Sequence, residues 1–174
     1  MLMAHLHATF RSLMSLRLSI DEIIGRANRM FCESTLPTHY ATLVCGKASH
    51  SGEIEICNAG HNPPLLAQGS DIMELKATGL PMGMFGEGQF SVNRVQLTPG
   101  DILLLYTDGL SEAMDHTDQE YGSGRLCDIL HKKDLLAPRD IIAACMEDLA
   151  TFQAGVPRAD DLTIMVIRRL EKED

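Results

Sequence analysis

The pattern of hydrophobic and polar positions at the start of the chain predicts two helices. Apolar residues recur at helical spacing, which favours an amphipathic helix over residues 2–17. Ser19 and Glu22 form an S-x-x-E capping box, so a second helix should begin there and end before Pro37. The apolar face of this second helix consists of Ile23, Ile24, Ala27, Met30 and Phe31.

From Tyr40 onward the pattern changes to short runs that are typical of β-strands. The first four runs are joined in pairs by short turns, which predicts two hairpins, and T-P-G-D joins the last two runs. The glycine-rich segment 79–88 predicts a loop. Short connections favour antiparallel pairing throughout. The runs cover residues 40–48, 53–60, 64–68, 72–77, 90–97 and 102–107.

The last part of the chain predicts two further helices and a final strand. The helices cover residues 124–133 and 138–152, and Pro138 suits the first turn of the second one. The strand lies within residues 160–170, which have a continuous apolar middle. Two helices, several strands, two helices and one strand form an α+β order rather than an alternating nucleotide-binding order. We expect a single domain over residues 1–174.

Composition and charge narrow the classes of partner. The chain has 174 residues, of which 45% are hydrophobic and 22% charged, an ordinary balance for one globular domain. The net charge of −9 argues against binding to nucleic acid or to anionic lipid. No apolar run is long enough for membrane insertion. Five scattered cysteines without a Cys-x-x-Cys pair favour reduced thiols in a cytoplasmic protein.

Acidic residues at the ends of two predicted strands are candidate metal ligands. Asp108-Gly109 follows a run of apolar residues, and it suits either a hairpin turn or a ligand beside a glycine that lets the backbone turn away. The residues that follow do not alternate, so a returning strand is not predicted. Asp160 and Asp161 precede the last strand; if both are extended, only one faces a given site. Such hard oxygen ligands suit Mg²⁺ or Mn²⁺ better than zinc.

Two other segments carry weaker indications. Gly60 and His61 end a predicted strand, where His61 is either an ordinary turn residue or part of a site. Gly79 and Gly83 in the glycine-rich loop are either turn residues or the hinges of a flap over a site.

Six segments in this order resemble the metal-dependent protein phosphatases of the PPM type, and within them the bacterial SpoIIE-type serine phosphatases. The resemblance implies a β-sandwich of antiparallel sheets flanked by helices. It also implies two Mn²⁺ or Mg²⁺ ions that activate a water for in-line attack on phosphoserine or phosphothreonine. The segments are FCES…YATLVCG, GEIEICNAGHNPPLL, GLPMG, LTPGDILLLYTDGLSEAMD, YGSGRL and ADDLTIMVIRR.

The resemblance also assigns roles to individual residues and partners. It implies that Asp108 and Asp160 are catalytic metal ligands, that Gly109 and Asp161 adjoin them, and that Gly60 and His61 lie near the metal pocket. The substrate would be a phosphorylated regulatory protein, often an anti-anti-sigma factor in a partner-switching cascade. The first two helices would receive a signal from an upstream sensor domain or from a second copy in a homodimer. The alternative is a purely structural role, in which these two amphipathic helices only cover a sheet.

One part of the family pattern is missing from the sequence. The family's metal centre needs an upstream Asp-Gly-x-Gly motif, and none is present here. We therefore expect the C-terminal part of a phosphatase domain, without its first strands and poorly active or inactive by itself. The alternative is a non-catalytic pseudophosphatase that acts as a binding or regulatory module. A haloacid-dehalogenase-like phosphatase does not fit, because Tyr106 occupies the position of its nucleophilic aspartate.

Overall fold

The computed structural model describes residues 2–132 and 137–171. Its contacts group them into two units: residues up to His61 with Lys76–Gln96, and Asn62–Leu75 with residues from Leu97 onward. In chain order the elements are α1 (Leu2–Leu13), α2 (Ile20–Ser34), β1 (Leu43–Ala48), β2 (Glu53–Ala59), β3 (Leu65–Gln68), β4 (Asp71–Glu74), β5 (Asn93–Gln96), β6 (Ile102–Tyr106), α3 (Asp108–Ser111), α4 (Gly122–His131), α5 (Pro138–Gln153) and β7 (Ile164–Arg168).

The two helices of the first unit begin where the sequence predicts. Helix α2 starts after Ser19, whose backbone N–H and hydroxyl donate to the Glu22 carboxylate at 3.0 and 2.9 Å. These hydrogen bonds lower the pKa of Glu22. Helix α1 ends at Leu13 rather than at residue 17, because the Leu16 N–H turns back to the Leu13 carbonyl at 3.0 Å.

The apolar face of α2 is narrower than predicted. Ile23, Ala27 and Phe31 are spaced by four residues, so they lie on one face, and all three are buried. Ile24 is fully buried as well, whereas Met30 was expected on this face and is instead 44% exposed.

The first unit contains a three-stranded antiparallel sheet in the order β1-β2-β5. The predicted β1–β2 hairpin is confirmed, with Cys45 directly opposite Cys57. Burial raises the pKa of both thiols, and all five cysteines of the chain are free. These two cysteines are therefore packing residues rather than activated nucleophiles.

The second unit contains a four-stranded antiparallel sheet in the order β4-β3-β6-β7. The predicted β3–β4 hairpin is confirmed. Strand β6 lies between β3 and β7, and its apolar side chains pack with those of α4 and α5. This buried, doubly paired position explains the four consecutive aliphatic residues that precede Tyr106.

The T-P-G-D turn does not form a hairpin, since β5 pairs with β2 whereas β6 pairs with β3 and β7. The turn is stabilised by the buried carboxylate of Asp101. This carboxylate accepts hydrogen bonds from the Thr98 N–H at 2.7 Å, the Thr98 hydroxyl at 2.9 Å and the Gln68 amide at 2.9 Å.

The late helices lie close to their predicted ranges. Helix α4 begins two residues before the predicted start at residue 124, and the predicted end at Lys133 lies outside the described residues. Helix α5 begins at Pro138 as predicted and ends at Gln153. The predicted α+β class, with antiparallel sheets and flanking helices, is confirmed. Within residues 2–132 and 137–171, no helix is both long enough and apolar enough to cross a bilayer.

Candidate metal centre

Asp108 lies immediately beyond the end of β6, where the chain enters a single helical turn. Tyr106 is the last residue of the strand, and Asp108 is the first residue of α3. The Asp-Gly pair is therefore not a hairpin turn. The Asp108 carboxylate accepts one hydrogen bond, from the Gly109 N–H at 3.0 Å.

Thr107 ties the end of β6 to the segment that carries Asp160 and Asp161. Its backbone N–H donates to the Thr163 carbonyl at 3.1 Å, and its hydroxyl accepts from the Thr163 N–H at 3.0 Å. The same hydroxyl donates to the Asp161 carbonyl at 3.3 Å. These bonds extend the β6–β7 pairing beyond the strands and hold the two acidic segments side by side.

Gly109 is required by a close approach of the backbone and not by an unusual backbone conformation. Its φ is outside the left-handed region. A Cβ atom at this position would overlap the Asp161 carbonyl. The explanation offered by the sequence, that a glycine lets the backbone turn away, is thus wrong for Gly109. Glycine is present because the loop before β7 lies against it.

The structure brings Asp108 and Asp160 to one cleft of about 210 Å³, within the second unit. Asp160 sits at a bend before β7, and its carboxylate accepts a hydrogen bond from the Asp161 N–H at 2.7 Å. The polar lining of the cleft consists of Asp108, Glu112, Gln153, Arg158 and Asp160, together with Gly109.

The donor set fits Mg²⁺ or Mn²⁺ in kind but not in number. Asp108 and Asp160 each use one carboxylate oxygen in a local hydrogen bond, and the described residues offer no donor to the other oxygen. That oxygen is available to a hard cation. Two carboxylates fill only part of a six-ligand shell, and the described residues contain no group of three or more His, Cys, Asp or Glu that could hold a metal.

Asp161 does not line this cleft. With Arg158, Asp160 and Leu162 it lines a second, more open hollow of about 600 Å³. Its backbone carbonyl is occupied by the Thr107 hydroxyl and lies against Gly109. Its contribution to the cleft is therefore the path of the backbone rather than its carboxylate.

Gly60 and His61 belong to the first unit and form a turn after β2. Gly60 has a φ of +70°, and a Cβ atom there would lie 2.5 Å from the ring of Pro81. The Asn58 side chain accepts from the His61 N–H at 2.8 Å and donates to the His61 carbonyl at 3.0 Å. The His61 Nδ1 lies 2.9 Å from the Thr42 hydroxyl. These contacts hold the backbone and one ring nitrogen of His61 locally, and a role of Gly60 and His61 near a metal pocket stays a prediction.

The glycine-rich loop is anchored to α2 through Asn28. The buried Asn28 side chain accepts from the Gly83 N–H at 2.9 Å and donates to the Phe85 carbonyl at 2.8 Å. Gly83 has a φ of +91°, and a Cβ atom there would lie 2.6 Å from the His39 carbonyl. At Gly79 it would lie 2.5 Å from the Phe90 ring. The flap role of these two glycines stays a prediction, and the Asn28 bonds would have to break for the loop to open.

A profile of the family described as Stage II sporulation protein E (SpoIIE) matches residues 1–170. The chain belongs to the SpoIIE family. Protein IcfG of Synechocystis sp. is 30% identical over 132 residues, which are 75% of this chain and 21% of that protein. Phosphoserine phosphatase RsbP of Bacillus subtilis is 30% identical over 113 residues, 62% of this chain and 28% of that protein. The SpoIIE-type resemblance seen in the sequence is confirmed.

A solved structure shows the same fold. The SiaA-PP2C domain of Pseudomonas aeruginosa superposes with a TM-score of 0.81 and 22% identity, covering 98% of this chain and 68% of that one. The predicted fold class is thus also confirmed by comparison. The SpoIIE-family chain spans between about a fifth and somewhat more than a quarter of the length of the two relatives described above.

Sequence reasoning missed three residues of this candidate site. Thr107 precedes Asp108, and its role depends on a backbone partner 54 or more residues away. Arg158 lies two positions before Asp160, a spacing that could have indicated a cation beside the carboxylates. Gln153 gave no usable signal, because a polar residue at the end of a helix is ordinarily exposed.

Replacing Asn28 by Ala is expected to release the glycine-rich loop from α2. Loss of a buried hydrogen-bond partner costs about 1–3 kcal/mol, so the Gly83 amide should exchange with solvent at least roughly tenfold faster. Hydrogen exchange followed by NMR measures this rate. Arg29→Ala, an exposed neighbour on the same helix, is the matched control. Equal Gly83 exchange rates in the two variants would show that Asn28 does not hold the loop.

Proposed function

We propose that the chain forms part of the catalytic domain of a metal-dependent protein serine/threonine phosphatase. The observation that carries this proposal is the placement of Asp108 and Asp160 at one cleft, each with a carboxylate oxygen to which the described residues offer no donor. Membership of the SpoIIE family, which includes phosphatases, supports it.

In this proposal the chain's residues hold and orient rather than form covalent bonds. Asp108 and Asp160 would bind Mn²⁺ or Mg²⁺ through their open oxygens, and Thr107 and Gly109 keep the two carboxylates at a fixed separation. Ions held by these carboxylates would supply Lewis-acid chemistry for the attack of water on a phosphoryl group. Attack by water would need no nucleophilic side chain.

The substrate would be phosphoserine or phosphothreonine on a regulatory protein of the anti-anti-sigma type, acting in the cytoplasm. Upstream sensor input through α1 and α2, or a homodimer, would regulate the site. We further propose that residues 1–174 are a single SpoIIE-type domain unit whose metal centre needs ligands beyond the two it supplies. The sequence holds no Asp-Gly-x-Gly motif, so little turnover is expected from this chain alone.

A pseudophosphatase is the second candidate, and the small number of carboxylates favours it. The described residues contain no cluster of three or more metal-ligating side chains. A chain of this kind would bind a phosphoprotein without hydrolysing it. Its binding would be independent of Mn²⁺.

Hydrolysis of p-nitrophenyl phosphate and of a phosphoserine peptide tests the proposal. Any turnover by the chain should require Mn²⁺ and disappear in Asp108→Asn and in Asp160→Asn, because each removes one charged ligand. It should persist in Asp128→Asn, which changes an exposed carboxylate on α4. Turnover that survives both site substitutions would contradict the assignment of these residues. Mn²⁺-independent phosphopeptide binding without turnover would favour the pseudophosphatase.

A further inference from the structure

The cleft that holds Asp108 and Asp160 also presents two hydrogen-bond donors that the described residues leave without an acceptor. Arg158 is exposed, and none of the ion pairs found among the described residues includes it. Gln153 is only 6% exposed, yet its side-chain amide forms no hydrogen bond with them. Both side chains line the cleft.

The Gln153 side chain is the more informative of the two, because buried amides normally have partners. Its backbone is fixed: the Gln153 carbonyl accepts from the Val156 N–H at 2.9 Å, and α5 ends there with Ala154 at a φ of +48°. The end of the helix therefore fixes the backbone from which the Gln153 side chain reaches the wall of the cleft. An amide kept in this position can donate to a ligand that enters the cleft.

Charge balance is the simplest alternative role for Arg158, since Asp108, Glu112 and Asp160 line the same cleft. An arginine that served only to neutralise a carboxylate would be expected to form a salt bridge with it. No such bridge occurs within the described residues. Within the described residues, the Arg158 guanidinium thus lines the same cleft as the carboxylates without forming a salt bridge with them.

We propose that Arg158 and Gln153 form a subsite for the phosphoryl group of a phosphate monoester. This inference rests on the proposed function, in which Asp108 and Asp160 bind the cation. The guanidinium presents paired N–H donors that match two oxygens of a phosphoryl group, and the Gln153 amide supplies a further donor. The two carboxylates would then bind the cation, and the Arg158 and Gln153 donors would bind the negatively charged phosphoryl oxygens. Both residues position the substrate, and neither forms or breaks a bond.

The test is a titration of the ¹⁵N-labelled chain with inorganic phosphate at saturating Mg²⁺, followed by NMR. Phosphate should shift the side-chain amide signals of Gln153. Arg158→Gln should weaken phosphate binding by roughly tenfold or more, because a charge-assisted hydrogen-bond pair is lost. Arg158→Lys should fall between this variant and the wild type, since it keeps the charge but not the planar fork. Arg139, whose side chain is 89% exposed on α5, provides the control, and Arg139→Gln should leave the phosphate affinity unchanged.

A second titration with O-phosphoserine separates a monoester subsite from a site for free phosphate. The same loss in Arg158→Gln supports the proposal, and an effect on inorganic phosphate alone overturns it. Unchanged phosphate affinity in Arg158→Gln, with Mg²⁺ affinity still dependent on Asp108, overturns the subsite and leaves the proposed function intact. If Asp108→Asn leaves the Mg²⁺ affinity unchanged, the proposed function itself is contradicted.

Discussion

Replacing either Asp108 or Asp160 by Asn is expected to remove Mn²⁺ binding by the chain almost completely. Mutation of groups that merely orient metal ligands costs roughly 10–100-fold in affinity, so loss of a charged ligand should cost more than about 100-fold. Asn retains the shape of Asp but offers a neutral oxygen, which binds a hard cation far more weakly. Isothermal titration calorimetry measures the affinities directly.

The fold should survive these substitutions, because both carboxylates are exposed. Asp128→Asn provides a variant of the same net charge with the cleft intact. In thermal unfolding, Mn²⁺ should raise the midpoint of the wild type and of Asp128→Asn, and should leave the two site variants unchanged. Equal Mn²⁺ affinity in all four proteins would remove Asp108 and Asp160 from the metal centre.

The substitution of Gly109 by Ala should destabilise the chain and impair the cleft together. The added methyl group overlaps the Asp161 carbonyl, so either α3 or the loop before β7 must move. Overpacking of this kind costs about 1–3 kcal/mol in the free energy of unfolding. Because Asp160 lies in the displaced loop, Mn²⁺ affinity should fall as well, although no ligand has been changed.

Gly124→Ala is the matched control for this variant. Gly124 lies in α4, where an added Cβ would meet no atom within 4 Å beyond its chain neighbours and the backbone of its own helix, so the change should be neutral or should stabilise the chain by about 0.4–1 kcal/mol. Denaturant unfolding followed by circular dichroism gives the difference in stability. A Gly109→Ala chain with wild-type stability and wild-type Mn²⁺ affinity would show that the close approach to Asp161 is unimportant.

The local periodicity of apolar residues predicted most elements of the fold, but it could not predict which strand pairs with β5. The capping box at Ser19 and the proline at residue 138 located two helix starts, because both act within a single turn of helix. Alternation identified β5 as a strand but could not choose its partner. The T-P-G-D turn is compatible with a hairpin and also with a chain that passes from one sheet to the other. In the structure the chain changes sheet, and the buried Asp101 carboxylate forms hydrogen bonds within this turn.

Only those residues of the candidate site whose role follows from residue type and position in the sequence could be predicted. Asp108 and Asp160 were found because a carboxylate at a strand end is conspicuous. The reason for Gly109 was misjudged, since it depends on the Asp161 carbonyl, which is remote in the sequence. Gln153 was missed because its burial follows from tertiary packing and not from local pattern.

The hydrogen bonds of Thr107 determine when the cleft can exist as the chain is made. They join residues that are 54 and 56 positions apart, and both partners lie next to the last strand, β7. A ribosome-bound chain that has completed β6 and α3 carries Asp108, but the β6 edge that pairs with β7 is still open and Asp160 is not yet synthesised. Contacts between earlier residues can form first during synthesis, so the β3–β6 pairing can precede the assembly of this cleft. The order of translation thus places Asp108 in the growing chain about fifty residues before the second carboxylate of the cleft, Asp160, is made.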